Sequence, residues 1–336
     1  MYTAASHLVE KLSGEPYDEF LTRRFWKPLE MLNTHHDISG VESNDAIKYL
    51  AQGYRWDNQT GTYIDVLMYE QPEGQGAGLI FSSVDDWAKW IRAMIKRSAP
   101  LTQKAHKELV KPRTIIHEDE EDKLPFYSQP LYAFGWIVES YRGRKVIGHG
   151  GDVTGFKSLM RYMPEYEWGI VILTNSDDGD NVAEVLCYHL IDELLRVSST
   201  ERVDWLALQR ERYMKSQEGD DEDEDSPERS DQLLPTSVSL EHLTGKYYNA
   251  GYHELVLRII DDKLQADCHE RSVRLILTFE HVTQDVFLLE IRDALDGSTR
   301  RVRAEFNIDG RGKVCSLGVA FVEEMEDHLI WFARIS

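Results

Sequence analysis

Val146-Ile147-Gly148-His149-Gly150-Gly151-Asp152-Val153-Thr154-Gly155-Phe156 leads on to Gly169-Ile170-Val171-Ile172-Leu173-Thr174-Asn175. Four glycines fall in eight positions, a histidine sits among them, and a run of β-branched residues follows. The pattern reads as a strand, a glycine-rich crossing and two further strands of one sheet. Glycine inside a strand marks a close approach of a ligand or another backbone. A histidine there can donate, accept or titrate near neutral pH. One wall of a site is therefore expected here.

Working outward, Tyr132 to Val138 reads as the preceding strand, turned back by Arg142-Gly143-Arg144. Downstream, Ser176 to Asp180 is a loop. Asn181 is placed to cap a helix with Val182, Val185, Leu186, Leu190 and Leu194 on one face. Upstream, Tyr2, Ala5, Leu8, Val9 and Leu12 have helical spacing, and Ser13-Gly14 closes that helix. Tyr17 to Phe25 forms a second helix, broken at Lys27-Pro28-Leu29. Asp45 to Tyr49 reads as a brief helical turn. Tyr54 to Trp56 and Tyr63 to Val66 read as short strands around Asp57-Asn58-Gln59-Thr60-Gly61. Gly74-Gln75-Gly76-Ala77-Gly78 is a second glycine-rich stretch. Ser82-Ser83-Val84-Asp85-Asp86 has the form of a capping box, opening a helix through Trp87, Trp90, Ile91 and Met94.

Residues 203–217 read as an exposed helix. The run Asp220 to Asp225, then Ser226-Pro227, marks a solvated linker. From Leu243 the texture changes. Eight runs (245–249, 253–260, 263–268, 272–279, 285–292, 300–308, 313–321 and 328–335) read as strands split by Asp261-Asp262, Asp296-Gly297 and Asp309-Gly310. The last two are hairpin dipeptides. This spacing predicts a small antiparallel barrel or sandwich. The domains expected are 1–198, a helix and acidic linker over 199–235, and a β domain over 236–336.

The net charge of −21 over 336 residues argues against nucleic acid or an anionic membrane as partner. Three distant cysteines, Cys187, Cys268 and Cys315, form neither a disulfide framework nor a zinc site, and a reducing, cytoplasmic setting is expected. No apolar run reaches the length of a membrane span, and the N-terminus lacks the features of a signal peptide. His35-His36-Asp37 reads as a solvated turn, because adjacent extended residues point apart.

Four segments resemble the serine β-lactamase and penicillin-binding protein superfamily, in its class C and esterase-like branch. They are Glu10-Lys11-Leu12-Ser13-Gly14; Pro28-Leu29-Glu30-Met31 with Thr34; Gly78 to Trp87; and the stretch 132–175, with its Tyr-Ala-Phe-Gly-Trp, Gly-His-Gly-Gly and Leu-Thr-Asn. The resemblance covers roughly residues 1–196 and implies an α/β (α+β) fold, a partial transpeptidase-like antiparallel sheet with helices. It also implies acyl transfer through an acyl-serine, with no metal or organic cofactor. Of the family's three motifs, Ser-x-x-Lys, Tyr-x-Asn and Lys-Thr-Gly or His-x-Gly, only the third is matched, by His149, Gly150 and Gly151. Asp152 would then offer its backbone N–H to an oxyanion, and it departs from the small residue common at that position.

No Ser-x-x-Lys occurs in the sequence. The one Tyr-x-Asn, Tyr247-Tyr248-Asn249, falls in the β domain and reads as strand. Ser82 and Ser83 read as capping residues, and Ser158 has no Lys or His at a suggestive spacing. A serine needs an adjacent base to attack at neutral pH. The expectations left open are a family hydrolase or acyltransferase acting on a small acyl substrate, a non-catalytic binding relative, and half of a split enzyme. A truncated product or late gene start is expected to leave a sheet edge for a partner chain or self-association to cover.

Overall fold

A computed structural model describes the chain except residues 44–45, 58–59, 67–73, 118–122, 220–233, 272, 295–296 and 323–327. The acidic run 220–225, Ser226-Pro227, Asp45, Asn58-Gln59 and Asp296 lie outside the described residues. The chain divides into two units, Met1–Met214 and Lys215–Ser336.

In the first unit, helix α1 spans Tyr2–Ser13 and ends on Gly14, whose φ of 74° is the left-handed cap that glycine adopts without steric cost. Helix α2 (Tyr17–Leu21) runs into a π-turn over Thr22–Trp26. Helix α3 is Ile38–Ser43, and a 3-10 turn covers Ile47–Tyr49. Strands β1 (Gly53–Asp57) and β2 (Thr62–Val66) form a separate hairpin. Helix α4 (Val84–Lys96) starts as expected at Ser83, whose Oγ accepts the Asp86 N–H.

The reciprocal half of the capping box is absent. The fully buried Asp86 carboxylate instead accepts the Asn33 N–H at 2.7 Å, the Thr34 hydroxyl at 2.8 Å and Lys89 Nζ at 2.8 Å. It thereby ties the turn after Pro28-Leu29 to α4.

Helix α5 (Gln103–Leu109) precedes a six-stranded antiparallel sheet. Its strands, in spatial and chain order, are β3 (Thr114–Ile115), β4 (Leu131–Tyr132), β5 (Ile137–Tyr141), β6 (Arg144–Val153), β7 (Phe156–Met163) and β8 (Trp168–Thr174). Two sequence expectations are corrected here. Residues 132–138 are not one strand, because the chain turns at Gly135 (φ 72°) and pairs Tyr132 with Ile137. The glycine-rich stretch is not a crossing, because Gly148 to Gly151 stay within β6, in register with β7.

The sheet is covered on both faces. On one side Ile91 and Met94 of α4 pack with Trp136, Val138, Ile147 and Tyr162. On the other, helix α6 (Gly179–Leu194) packs Ala183, Cys187, Tyr188 and Ile191 onto Val146, Leu159 and Met163.

Of the expected α6 face, Val185 and Leu194 pack against this core but Val182 and Leu186 do not. Val182 is 69% exposed and Leu186 45%, while 183, 187 and 191 face the sheet. The helix also begins two residues before Asn181, where Gly179 lets it lie against Thr174. The periodicity alone could not choose between two adjacent stripes of similar apolarity. Helix α7 (Trp205–Gly219) seats Trp205 in this core, where its Nε1 donates to Asp192 at 2.9 Å.

In the second unit the strands follow helix α8 (Leu240–Leu243). All eight expected runs become strands: β9 (Gly245–Asn249), β10 (His253–Ile260), β11 (Lys263–Cys268), β12 (Leu275–Thr283), β13 (Val286–Asp293), β14 (Thr299–Ile308), β15 (Val314–Val319) and β16 (Ile330–Arg334). They close into a barrel when β16 pairs with β9, Ala333 with Tyr248 and Arg334 with Tyr247. Alternate residues point inward. Tyr247, Phe279, Phe287, Phe306 and Phe332 fill the interior with leucines, as an eight-stranded barrel allows.

The turns exchange roles. Asp261 and Asp262 both take positive φ and form a two-residue hairpin. At Asp309 the loop is longer: its carboxylate accepts the N–H groups of Arg311 and Lys313, and Gly312 rather than Gly310 is left-handed.

Candidate active site

The direction of the β6 backbone follows from its neighbours. Ser140 of β5 turns away from β6, since its C=O accepts the Ser128 N–H and its own N–H donates to Ser128 Oγ. Backbone groups alternate between the two edges of an antiparallel strand. Tyr141, Glu139 and Ile137 therefore face β6, opposite Arg144, Val146 and Gly148. Strand β5 ends at the Ile137–Gly148 pair. Two and four residues on, the N–H and C=O of Gly150 and Asp152 face the same edge, past the end of β5. His149 and Gly151 direct theirs to β7.

His149 is held at both nitrogens. Nδ1 contacts the Gly150 carbonyl and Nε2 lies 3.1 Å from the Tyr132 hydroxyl. The Tyr132 hydroxyl is in turn 2.5 Å from that of Tyr2. Burial first, then the Tyr2 hydrogen bond, pushes the Tyr132 hydroxyl up to about 12.

Tyr2 and Tyr132 were absent from the sequence-based site. The signal available was the Tyr-Ala-Phe-Gly-Trp segment, but it takes the turn at Gly135 to bring Tyr132 back to His149. Tyr2 arrives by packing. The second glycine-rich stretch lies against α1, where a Cβ at Gly76 would collide with the Tyr2 carbonyl, and a Cβ at Gly78 would touch Val153 at 3.9 Å.

Gly151 lies opposite Ser158, and a Cβ there would collide with Ser158 Oγ. The Asp152 side chain is drawn across to β7, with its carboxylate 2.6 Å from Lys157 Nζ. The four residues expected at the wall thus share one strand, and two of them, Gly150 and Asp152, turn their backbone groups to the edge past β5.

The other candidates have structural roles. Ser83 caps α4 and Ser82 bonds Thr34. His35 pairs with Phe81, His36 meets the edge of the Tyr17 ring, and Asp37 accepts the Gly40 N–H. Among the described residues no cluster of acidic, histidine and cysteine side chains could hold a metal ion. Tyr247 is buried in the barrel, its hydroxyl donating to the Leu243 carbonyl, and Asn249 Oδ1 accepts the Gly251 and Tyr252 N–H groups. No helix among the described residues is long and apolar enough to cross a membrane.

An antiparallel sheet between α4 and α6, carrying His-Gly-Gly on an open strand edge, defines a protein of the β-lactamase-like fold class. The family model for beta-lactamase matches residues 1–192, and the chain belongs to that family. A domain of unknown function, DUF3471, matches residues 231–334, the stretch that builds the barrel.

Two similar proteins are unguisins hydrolases. The one from Aspergillus campestris is 27% identical over 99% of this chain, and the one from Aspergillus violaceofuscus is 29% identical over 100% of it. The chain spans 62% of the length of each relative. Among solved structures, an octameric penicillin-binding protein homologue from Pyrococcus abyssi shares the fold. It has a TM-score of 0.51 and 20% identity, over 98% of this chain and 63% of that one.

Proposed function

We propose that the chain carries the oxyanion-side wall of an acyl-transfer site that hydrolyses or transfers the acyl group of an ester or amide. The observation that carries this reading is the open edge of β6, to which the Asp152 and Gly150 backbone groups are directed. A backbone N–H aimed at a reacting carbonyl stabilises the charge that develops on its oxygen. The acyl-serine step needs a serine with its lysine. No Ser-x-x-Lys occurs in these 336 residues, so the pair comes from another stretch of polypeptide. Strand β8 offers such a polypeptide a place: it is a sheet edge, uncharged from Trp168 to Thr174. The likeness to the unguisins hydrolases supports hydrolysis as the reaction.

The same missing motif favours a second reading, a non-catalytic member whose cleft only binds its ligand. Covalent labelling separates the two. A fluorophosphonate is added to the chain alone and to the native preparation, and intact masses are read. Acyl transfer gives no adduct on the chain alone and a serine adduct in the native preparation. The variant Asp152→Pro, which removes the N–H directed to the open edge, then slows labelling by about 100- to 1,000-fold. No adduct in either preparation leaves the binding-only reading, and an adduct on a serine of the chain alone overturns the need for an outside nucleophile.

A further inference from the structure

Arg161 sits in the layer between the sheet and α6, with its side chain 15% exposed and its Nη1 buried without a hydrogen-bond partner. Its far end is fixed on α6. The guanidinium lies over the Tyr188 ring at 4.8 Å, and Nη2 donates to the Tyr188 hydroxyl at 3.3 Å and stands 3.8 Å from the Glu184 carboxylate. Gln209 of α7 donates to that carboxylate at 2.7 Å. The near end bears on β6: the stem lies opposite Gly148, where a Cβ would meet Arg161 Cγ at 2.6 Å. Glycine fills three of the four positions from 148 to 151. Glycine leaves a strand more backbone freedom than any other residue. Past the Ile137–Gly148 pair, this stretch has β7 alone beside it. Its course there depends on few contacts, and Arg161 supplies one at the point where β5 ends.

We propose that Arg161 is a positioning residue of this site, a strut from α6 to Gly148 that fixes where the Gly150 and Asp152 backbone groups point. This rests on the reading of the β6 edge as an acyl site. Stability alone gives little reason for a buried cation here, because an apolar side chain of similar volume serves a core as well or better. What the guanidinium adds is direction. A methionine at 161 would fill the space at Gly148 but would be free to change rotamer, whereas the planar group is held by a ring beneath it, a hydroxyl and a carboxylate. Such a hold matters because a backbone donor stabilises an oxyanion only within hydrogen-bond distance of the place where charge appears. A misplacement of about 1 Å costs on the order of 100-fold in rate.

The test follows fluorophosphonate labelling of the native preparation as a function of reagent concentration. Arg161→Met keeps the stem and removes the guanidinium. It is expected to lower the maximal labelling rate by at least about tenfold, while the half-saturating concentration stays within about twofold. Met163→Ala opens a cavity in the same core at the other end of β7, and is expected to leave the maximal rate unchanged. In the 15N-labelled chain, Arg161→Met is expected to raise the picosecond-to-nanosecond mobility of the Gly150 and Asp152 amides, and Met163→Ala is not. Tyr188→Phe, which keeps the ring and removes one bond to the guanidinium, is expected to slow labelling by about threefold. It carries the test if Arg161→Met does not fold, and an unchanged rate there counts against the strut. An unchanged maximal rate or unchanged amide mobility in Arg161→Met, or an equal fall in Met163→Ala, overturns the positioning role and leaves the acyl site in place. A wild type that takes no serine adduct removes the acyl-site reading, and this role with it.

Discussion

Gly148 lies directly opposite Arg161, and the arginine stem occupies the space that a side chain at 148 would need: a Cβ there would sit 2.6 Å from Arg161 Cγ. The same Cβ would approach the Met160 carbonyl at 2.6 Å, and that backbone cannot move without disturbing β7. Arg161 leads its guanidinium over the Tyr188 ring at 4.8 Å and to the Tyr188 hydroxyl at 3.3 Å, under α6. The first glycine of the decisive stretch thus serves the sheet–helix packing rather than a ligand. Gly148→Ala is expected to destabilise the chain by about 1 to 3 kcal/mol through overpacking. Urea unfolding measures it, and an unchanged midpoint would contradict the account.

Gly151 faces a softer neighbour. Gly151→Ala meets the Ser158 hydroxyl, and the cost expected is about 1 kcal/mol. Ser158→Ala in the same chain removes the clashing atom and is expected to restore most of the loss. A double-mutant cycle reads the coupling directly, and simple additivity would show that the two side chains do not meet.

Asp86 is buried with three donors on its carboxylate. Asp86→Ala strands the Asn33 N–H, the Thr34 hydroxyl and the Lys89 ammonium, and an expected loss of about 3 to 5 kcal/mol follows. The measurement is chemical denaturation followed by tryptophan fluorescence, since Trp87 and Trp90 lie on α4. A loss below about 1 kcal/mol, the worth of a single ordinary hydrogen bond, would refute the network.

The three thiols differ in access. Cys187 and Cys268 are buried and Cys315 is exposed. Burial pushes the Cys187 thiol up to about 11 and raises that of Cys268. Thiolate is the reactive form. Ellman's reagent at neutral pH is expected to titrate one thiol in the folded chain and all three after unfolding. Rapid reaction of two in the folded state would contradict the packing of α6 or of the barrel.

Alkaline pH is expected to weaken both units. Burial, then the hydrogen bond to Asp192, pushes the Tyr141 hydroxyl up to about 12, and burial does the same to Tyr247 in the barrel. An unfolded tyrosine titrates at about 10. A folded pKa raised above the unfolded value gives stability that is full below about pH 10 and lost as pH rises through 12. Denaturation midpoints are expected to fall across that window, and Tyr247→Phe is expected to flatten the fall. A pH-independent midpoint between 10 and 12 would contradict the burial of these hydroxyls.

The sequence alone determined the elements whose signals are local. The eight strands of the barrel were legible because inward and outward residues alternate strictly, as in Phe287, Leu289 and Ile291 of β13, and turn residues separate them. The Gly14 cap, the Ser83 cap and the Arg142-Gly143 turn were legible for the same reason. His149, Gly150, Gly151 and Asp152 were found as a group because they are contiguous.

What only tertiary structure decided were choices between locally equivalent options. The face of α6 was set by which stripe met Val146 and Leu159, since 182/186 and 183/187 are both apolar enough. The closure of the barrel rested on β16 reaching β9 across the whole unit. The hydrogen-bonded line from Tyr2 through Tyr132 to His149 joins residues 130 and 17 positions apart, and no local pattern joins the three. Local periodicity encodes which residues can share a face. Which face meets which is settled by long-range packing, where burial of one surface excludes the alternatives.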